Sequence, residues 1–178
     1  CKKLSNIELP LSLTELGYSV FRSCTSLTKI KIPKSLSSCG EGIFRDCTNI
    51  KEVEFETGIT KIPYNLFDQY SDSSFGLETI EIPDTVTEIG SSAFSGCLNL
   101  TTVSGMKNVT KIESNAFDGC KKLSNIELPL SLTELGYNAF SYCTSLETTS
   151  VPSGLKTWGY GIRSEEHTSE LQSPCNLV

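Results

Sequence analysis

The sequence predicts a β-rich α/β solenoid of about seven stacked 23-residue coils, with parallel sheets and short helical turns. Its cysteines at 1, 24, 47, 97, 120 and 143 recur 23 residues apart, except across one gap of 50. From Cys24 on, each of them follows a phenylalanine by three residues. Apolar columns keep the same period: Leu4, Leu27, Ile50, Leu77, Leu100, Leu123 and Leu146, then Ile7, Ile30, Val53, Ile80, Val103 and Ile126. Only Thr149 breaks the second column.

Two further columns follow, Leu13, Leu36, Ile59, Val86, Val109, Leu132 and Leu155, then Leu16, Cys39, Ile62, Ile89, Ile112, Leu135 and Trp158. A leading LxxIxI at a period of about 20 to 29 residues is the signature of a leucine-rich solenoid. One coil cannot bury these columns alone, so its neighbours must. Ile7 and Leu9 flank an outward Glu8, the period-two alternation of a strand with one wet face. Pro10, Pro33, Pro83, Pro129 and Pro152 lack a backbone donor and end that strand. A second short strand is expected at LTEL, KIP, VTEI and VTKI. Glycines 17, 40, 90, 136 and 159 close it, where a positive φ costs little. A single helical turn carrying Phe21, Phe44, Phe67, Phe94, Phe117 or Phe140 completes the unit. Strands stacked about 4.8 Å apart would give a rod on the order of 30 Å long.

The segment LETIEIPDTVTEIGSSAFSGC, Leu77 to Cys97, resembles the BspA-type (Treponema-type) leucine-rich repeat, LxxIxIPxxVTxIGxxAFxxC, at every signature position. The resemblance covers residues 1–162. It implies a non-enzymatic, cell-surface or secreted adhesin or surface antigen, as such proteins occur in bacteria and some protists. The implied ligand is a protein or glycan, including host matrix or cell surface. A structural spacer or intracellular interaction scaffold, and the accessory repeats of an enzyme whose catalytic domain lies elsewhere, are the alternatives.

Two irregularities interrupt the period. The first is an insertion of four residues near 68–75, where Tyr70 takes the cysteine position and QYSDSSFG departs from register before Leu77. It reads as a tolerated surface loop or as a binding loop. Asp68 and Asp72 do not have the spacing of a calcium loop. The second is Arg163, which stands where the next phenylalanine is due. The run RSEEHTSELQS, Arg163 to Ser173, resembles the translation of a short-read sequencing adapter, so residues 163–178 are read as an artefactual tail set apart from function. Residues 1–162 form the solenoid domain, expected to be a fragment of a longer array. Residues 1–18 recur unchanged at 120–137, which points to duplication of a multi-repeat block.

Chemistry is scarce. His167 is the single histidine and lies in the tail, so histidine-based triads and zinc sites have no basis in the repeats. No phosphate-binding loop or nucleophile elbow is present, and no cofactor or metal is expected. The register cysteines, with Cys39 in a core column, are expected to stack as buried thiols. A column spaced about 4.8 Å apart exceeds the 3.5–4.5 Å that Cβ atoms of a disulfide require. The net charge of −6 becomes −4 for residues 1–162, since the tail holds one arginine and three glutamates. No nucleic-acid footprint follows from that balance, and no apolar run is long enough to insert in a membrane.

The outward side of the first strand is the expected contact surface, because repeat proteins bind extended partners on such open sheets. Its residues are Asn6, Glu8, Lys29, Lys31, Glu52, Glu54, Thr79, Glu81, Asn125 and Glu127, continued by Thr102, Ser104, Thr148 and Ser150. Tyr18, Tyr64, Tyr137 and Tyr160 form an aromatic column, which reads either as packing or as binding anchors. Asn99 and Asn108 head NLT and NVT, the glycosylation pattern of a eukaryotic secretory host.

Overall fold

The computed structural model describes residues 2–69, 75–147 and 150–159. Expectations placed on Cys1, Tyr70, Asp72, Thr148, Thr149, Tyr160 and residues 163–178 lie outside the described residues. In chain order the strands are β1 (Glu15–Leu16), β2 (Lys29–Ile32), β3 (Ser38–Cys39), β4 (Glu52–Phe55), β5 (Lys61–Ile62) and β6 (Thr79–Glu81). They continue as β7 (Glu88–Ile89), β8 (Thr102–Ser104), β9 (Lys111–Ile112), β10 (Asn125–Ile126), β11 (Glu134–Leu135) and β12 (Thr157–Trp158). Every pairing is parallel. The expected solenoid is present and makes about six turns rather than about seven.

Register follows from burial. Lys29 lies opposite Glu52 and Ile30 opposite Val53, so each register position meets its equivalent 23 residues on, polar against polar and apolar against apolar. Side chains alternate across a strand, and a slip of one residue would turn the isoleucines out to water. The duplicated segment shows where burial comes from. Leu123, Ile126, Leu128 and Leu132 are buried on the coil before them, whereas the identical Leu4, Ile7, Leu9 and Leu13 are only half-buried. The phenylalanines stack through the core, with centroids 5.1 Å apart for Phe94 and Phe117 and 5.3 Å for Phe117 and Phe140, planes 1° from parallel.

The segment around each phenylalanine is a turn, not the expected helical turn, and no helix occurs among the described residues. The cause is a third ladder of backbone bonds between coils. Ser92, Phe94 and Gly96 donate to Ser114, Ala116 and Asp118 carbonyls at 2.7–3.0 Å, and Asn115, Phe117 and Gly119 repeat this one coil on. N–H groups spent on the next coil cannot close an α-helix. The alternation requires positive φ at Ser92, Gly96, Asn115 and Gly119, positions held mostly by residues that tolerate it.

The glycines expected to adopt positive φ do not adopt it. At Gly40, Gly90, Gly136 and Gly159 the reason for glycine is lack of space. A Cβ on Gly40 would stand 2.6 Å from Tyr18 N, one on Gly136 2.3 Å from Ser114 N, and one on Gly159 2.4 Å from Tyr137 N. The same backbones donate N–H bonds to the preceding coil, at 2.7–2.9 Å for Gly40, Gly90, Gly136 and Gly159.

Both sheets are interrupted beside the coil that begins at Cys47. The first-strand sheet divides into β2–β4 and β6–β8–β10, the second-strand sheet into β1–β3 and β5–β7–β9–β11–β12. That coil pairs backward through its first strand and forward through its second. Pro63 fills the glycine column there and has no N–H for the preceding coil. Phe44 and Phe67 accordingly show the widest stacking separation, 5.8 Å, and the largest tilt, 31°. The inserted stretch ends inside the core, since Phe75 is buried and stacks on Phe67 at 5.6 Å.

Gly136→Ala should destabilise the chain by about 1–3 kcal/mol, the usual cost of overpacking. Gly17→Ala, in the same local sequence but with only Val20 Cγ2 at 3.9 Å, should be near neutral in denaturant titration. Phe94→Ala should cost about 3–5 kcal/mol, and a small thermal shift would contradict the stacked core.

Candidate binding surface

The predicted contact residues occupy strand positions whose side chains point away from the core. Lys31, Glu52, Glu54, Thr79, Glu81, Asn125 and Glu127 are exposed and Lys29 is half-buried. Asn6 and Glu8 are exposed too, but they precede β1 and belong to no sheet. The interruption between β4 and β6 separates the remainder into two groups of different charge.

On β2 and β4, Lys29 Nζ lies 3.0 Å from Glu52 and 2.5 Å from Glu54. Hydrogen bonds to Glu54 and Glu52 raise the Lys29 pKa, and the same bond lowers that of Glu54. Lys51 forms an ion pair with Glu78 at the start of the next coil. On β6, β8 and β10 the outward side chains are Thr79, Glu81, Thr102, Ser104 and Asn125, followed by Glu127. No ion pair among the described residues reaches Glu81 or Glu127. Beside this group, Gly105 and Met106 replace the pair of apolar residue and proline seen at Ile32–Pro33, Ile82–Pro83 and Leu128–Pro129. Gly105 adopts φ +83°, and its Cβ would stand 2.2 Å from Ile82 O. The resulting depression of about 510 Å³ is lined by Thr102, Ser104, Asn125, Glu127 and Leu130.

The second sheet carries a charged column that the sequence reading passed over, although its period-23 spacing was available. Lys61 pairs with Glu88 at 2.7 Å and Glu113 at 3.5 Å, and Lys111 with Glu113 at 3.6 Å and Glu134 at 3.7 Å. Glu113 occupies the glycine column and accepts bonds from Ser91 N at 2.9 Å and Ser91 Oγ at 3.1 Å. Its hydrogen bond with Glu88, the Ser91 backbone N–H, Lys61 and the Ser91 hydroxyl hold its carboxyl at about 2, against the opposing effect of partial burial. A groove of about 450 Å³ runs here past Lys111, Glu113, Glu134, Tyr137 and Trp158.

Tyr18, Tyr64 and Tyr137 are 77%, 40% and 59% exposed, so their rings stand at the surface rather than in the packing. Tyr64 shares a 2.7 Å hydrogen bond with Ser38. The Asn99 and Asn108 side-chain amides donate to Phe75 O and Asp84 O at 2.9 and 2.8 Å, binding these residues to the neighbouring coil. Asp68 is buried, and burial pushes its carboxyl up to about 6 against the opposing hydrogen bond from Ser95.

Cys24, Cys39, Cys47, Cys97, Cys120 and Cys143 are free and buried. Cys47, Cys120 and Cys143 donate S–H bonds to the Phe21, Phe94 and Phe117 carbonyls of the preceding coil at 3.0–3.1 Å. Burial pushes up the thiols of Cys39, Cys47, Cys97, Cys120 and Cys143, to about 11 at Cys47 and about 12 at Cys143. They are therefore poor nucleophiles and metal ligands. Among the described residues no three histidine, cysteine or acidic side chains form a metal-holding cluster, and no helix is long and apolar enough to cross a membrane.

A family model described as "BspA type Leucine rich repeat region" matches six copies, over residues 1–75 and 72–177. Among solved structures, a leucine-rich repeat protein of T. pallidum is 24% identical, with 80% of this chain and 75% of that one covered and a TM-score of 0.54. The pneumococcal vaccine antigen PcpA is 24% identical, with 83% and 39% covered and a TM-score of 0.51. A leucine-rich cell-surface protein of Faecalibacterium prausnitzii is 30% identical, with 77% and 42% covered and a TM-score of 0.49. The chain thus spans about two fifths of the length of the latter two. No curated protein matches.

Because the Glu113 pKa is depressed in the fold, its contribution is complete above the ordinary carboxylate range and is lost as pH falls from about 4.5 towards 2. Glu113→Gln should be less stable than the parent at pH 7, with the difference shrinking over that interval in pH-dependent thermal melts.

Proposed function

Since the chain belongs to the BspA-type leucine-rich repeat family, we propose that it is a non-enzymatic binding scaffold that recognises a protein or glycan through the outer face of its first-strand sheet. The observation that carries this reading is the ordered row of exposed Thr79, Glu81, Ser104 and Asn125 side chains with half-buried Thr102 among them, held on strands whose opposite face is locked into the core, and continued by exposed Glu127 just past β10. Binding on such a row loses little side-chain freedom, because threonine, serine and asparagine are short. Glu81 and Glu127, without ion-pair partners among the described residues, are free to meet a cation or hydroxyl of the ligand. A cell-surface or secreted location fits this reading, since PcpA, which is similar in fold, is a vaccine antigen. An adhesive role towards host matrix or cells is the corresponding biological use.

Screening the chain against immobilised matrix proteins, host cells and a glycan array should yield a saturable ligand. The double change Glu81→Lys and Glu127→Lys should weaken that binding by about tenfold, equivalent to about 1.4 kcal/mol, without shifting the melting temperature. Absence of any ligand would favour a spacer role, and an unaffected double variant would remove the face from the proposal.

A further inference from the structure

We propose that the edge of β4 facing β6 is a strand-addition site, which takes an extended segment of alternating cationic and apolar side chains. The proposal rests on the binding-scaffold reading but uses a strand edge where that reading uses the sheet face.

Three independent features of the β4–β6 interruption support it. The first is backbone capacity. Glu52 N and Glu56 N donate to Thr28 O and Ile32 O on the β2 side, and groups along a strand point alternately to its two neighbours. Val53 and Phe55 therefore direct their N–H and C=O groups away from β2. β6, which would receive them in an unbroken sheet, pairs only with β8. Such an edge is a ready template for an added strand.

The second is the inward face. Ile30, Ile32, Ile80 and Ile82 are 0–4% exposed, whereas Val53 and Phe55 at the equivalent positions are half-buried. The core is incompletely covered beside β4, and apolar side chains on an added strand would cover it.

The third is charge. An added strand would set its outward side chains between Glu52 and Glu54 on one side and Glu81 on the other. Lys29 already serves Glu52 and Glu54 from β2, and a carboxylate row between two lysine rows occurs elsewhere in this chain, where Glu88 of β7 stands between Lys61 of β5 and Lys111 of β9. The complementary pattern is cation–apolar–cation–apolar. β2 itself, Lys29–Ile30–Lys31–Ile32, has that pattern and pairs with β4 on its other edge.

The test titrates the full chain with the synthetic peptide Thr-Lys-Ile-Lys-Ile-Pro-Lys, the sequence of residues 28–34. Two controls are the same peptide with the first two lysines changed to glutamate, and one N-methylated at the alternate amides that would face β4. The expected result is one-to-one binding, with each control weaker by about tenfold or more. Amide exchange at Val53 and Phe55 should slow when the peptide is bound. Equal binding of the N-methylated peptide, no binding at millimolar concentration, or Val53 and Phe55 amides already as protected as Val103 in the free chain would each overturn the proposal. The double change Glu52→Lys and Glu54→Lys should weaken peptide binding, while Glu127→Lys, beyond β8, should leave it unchanged. Peptide binding that survives while screened ligands fail would discard the face reading alone. Failure of the peptide with screened ligands retained would discard the edge site alone.

Discussion

Each coil is stable only because the coils beside it bury its apolar columns. A single 23-residue loop has an inside of leucine, isoleucine and phenylalanine but no interior of its own, and the duplicated segment makes this visible within one molecule. Leu123 and Leu132 are fully buried, while Leu4 and Leu13, in the same local sequence, are not. Local propensity cannot produce that difference, so it belongs to the interface between coils. Once burial is shared in this way, register has to be kept at every step. The stacked phenylalanines, the Cys–Phe carbonyl bonds and the backbone ladders all repeat because they sit on the same translation. Polar side chains follow it as well, with Thr87, Thr110 and Thr133 each donating to the carbonyl one coil back at 3.1–3.3 Å.

The outer surfaces differ in how far their charges are satisfied internally. On the second sheet, lysine and glutamate alternate down one column and neutralise each other, with Glu113 drawn further in by Ser91. The β2–β4 part of the first sheet does the same through Lys29. Among the described residues, only the β6–β8–β10 part presents carboxylates, hydroxyls and an amide with no cation among them. Exposed ion pairs add little to stability, so the sorting bears less on folding than on what each face offers a partner. The thiols of Cys47, Cys97, Cys120 and Cys143 contribute to packing rather than reactivity, since burial raises their pKa and their S–H groups are committed to carbonyls.

The repeat fold was legible because periodicity reports which residues share an environment. Column membership placed Phe94, Ile112 and Cys120 in the core without any knowledge of angles. Conformation within the turn was not legible in the same way. A short apolar segment with alanine and phenylalanine reads as a helical turn until the inter-coil N–H bonds at Phe94 and Phe117 are seen, and those are long-range. The glycine column illustrates the same limit. Glycine signals either a special φ or a close approach, and only the 2.3 Å clash that a Cβ at Gly136 would make decides for the second. Of the candidate surface, the outward direction of Lys31, Glu54, Glu81 and Asn125 was readable from alternation. The division between β4 and β6 was not, because it depends on how the inserted residues re-enter the core at Phe75.

That division follows from two local changes acting on one coil. Pro63 takes away the N–H that Gly40, Gly90, Gly136 and Gly159 in its column give to the preceding coil, so β5 does not join β3. The insertion then displaces the next coil's first strand, so β6 does not join β4. Had both changes fallen on one side of one interface, the stack would have held there by the aromatic core alone. Because they fall on opposite sides of the coil, β2–β4 carries it on one flank and β5–β7 on the other, and the phenylalanine ladder tilts by 31° at Phe44–Phe67 without breaking. The solenoid therefore tolerates an irregular coil, and the strand edge left open at Val53 and Phe55 is the structural consequence of that tolerance.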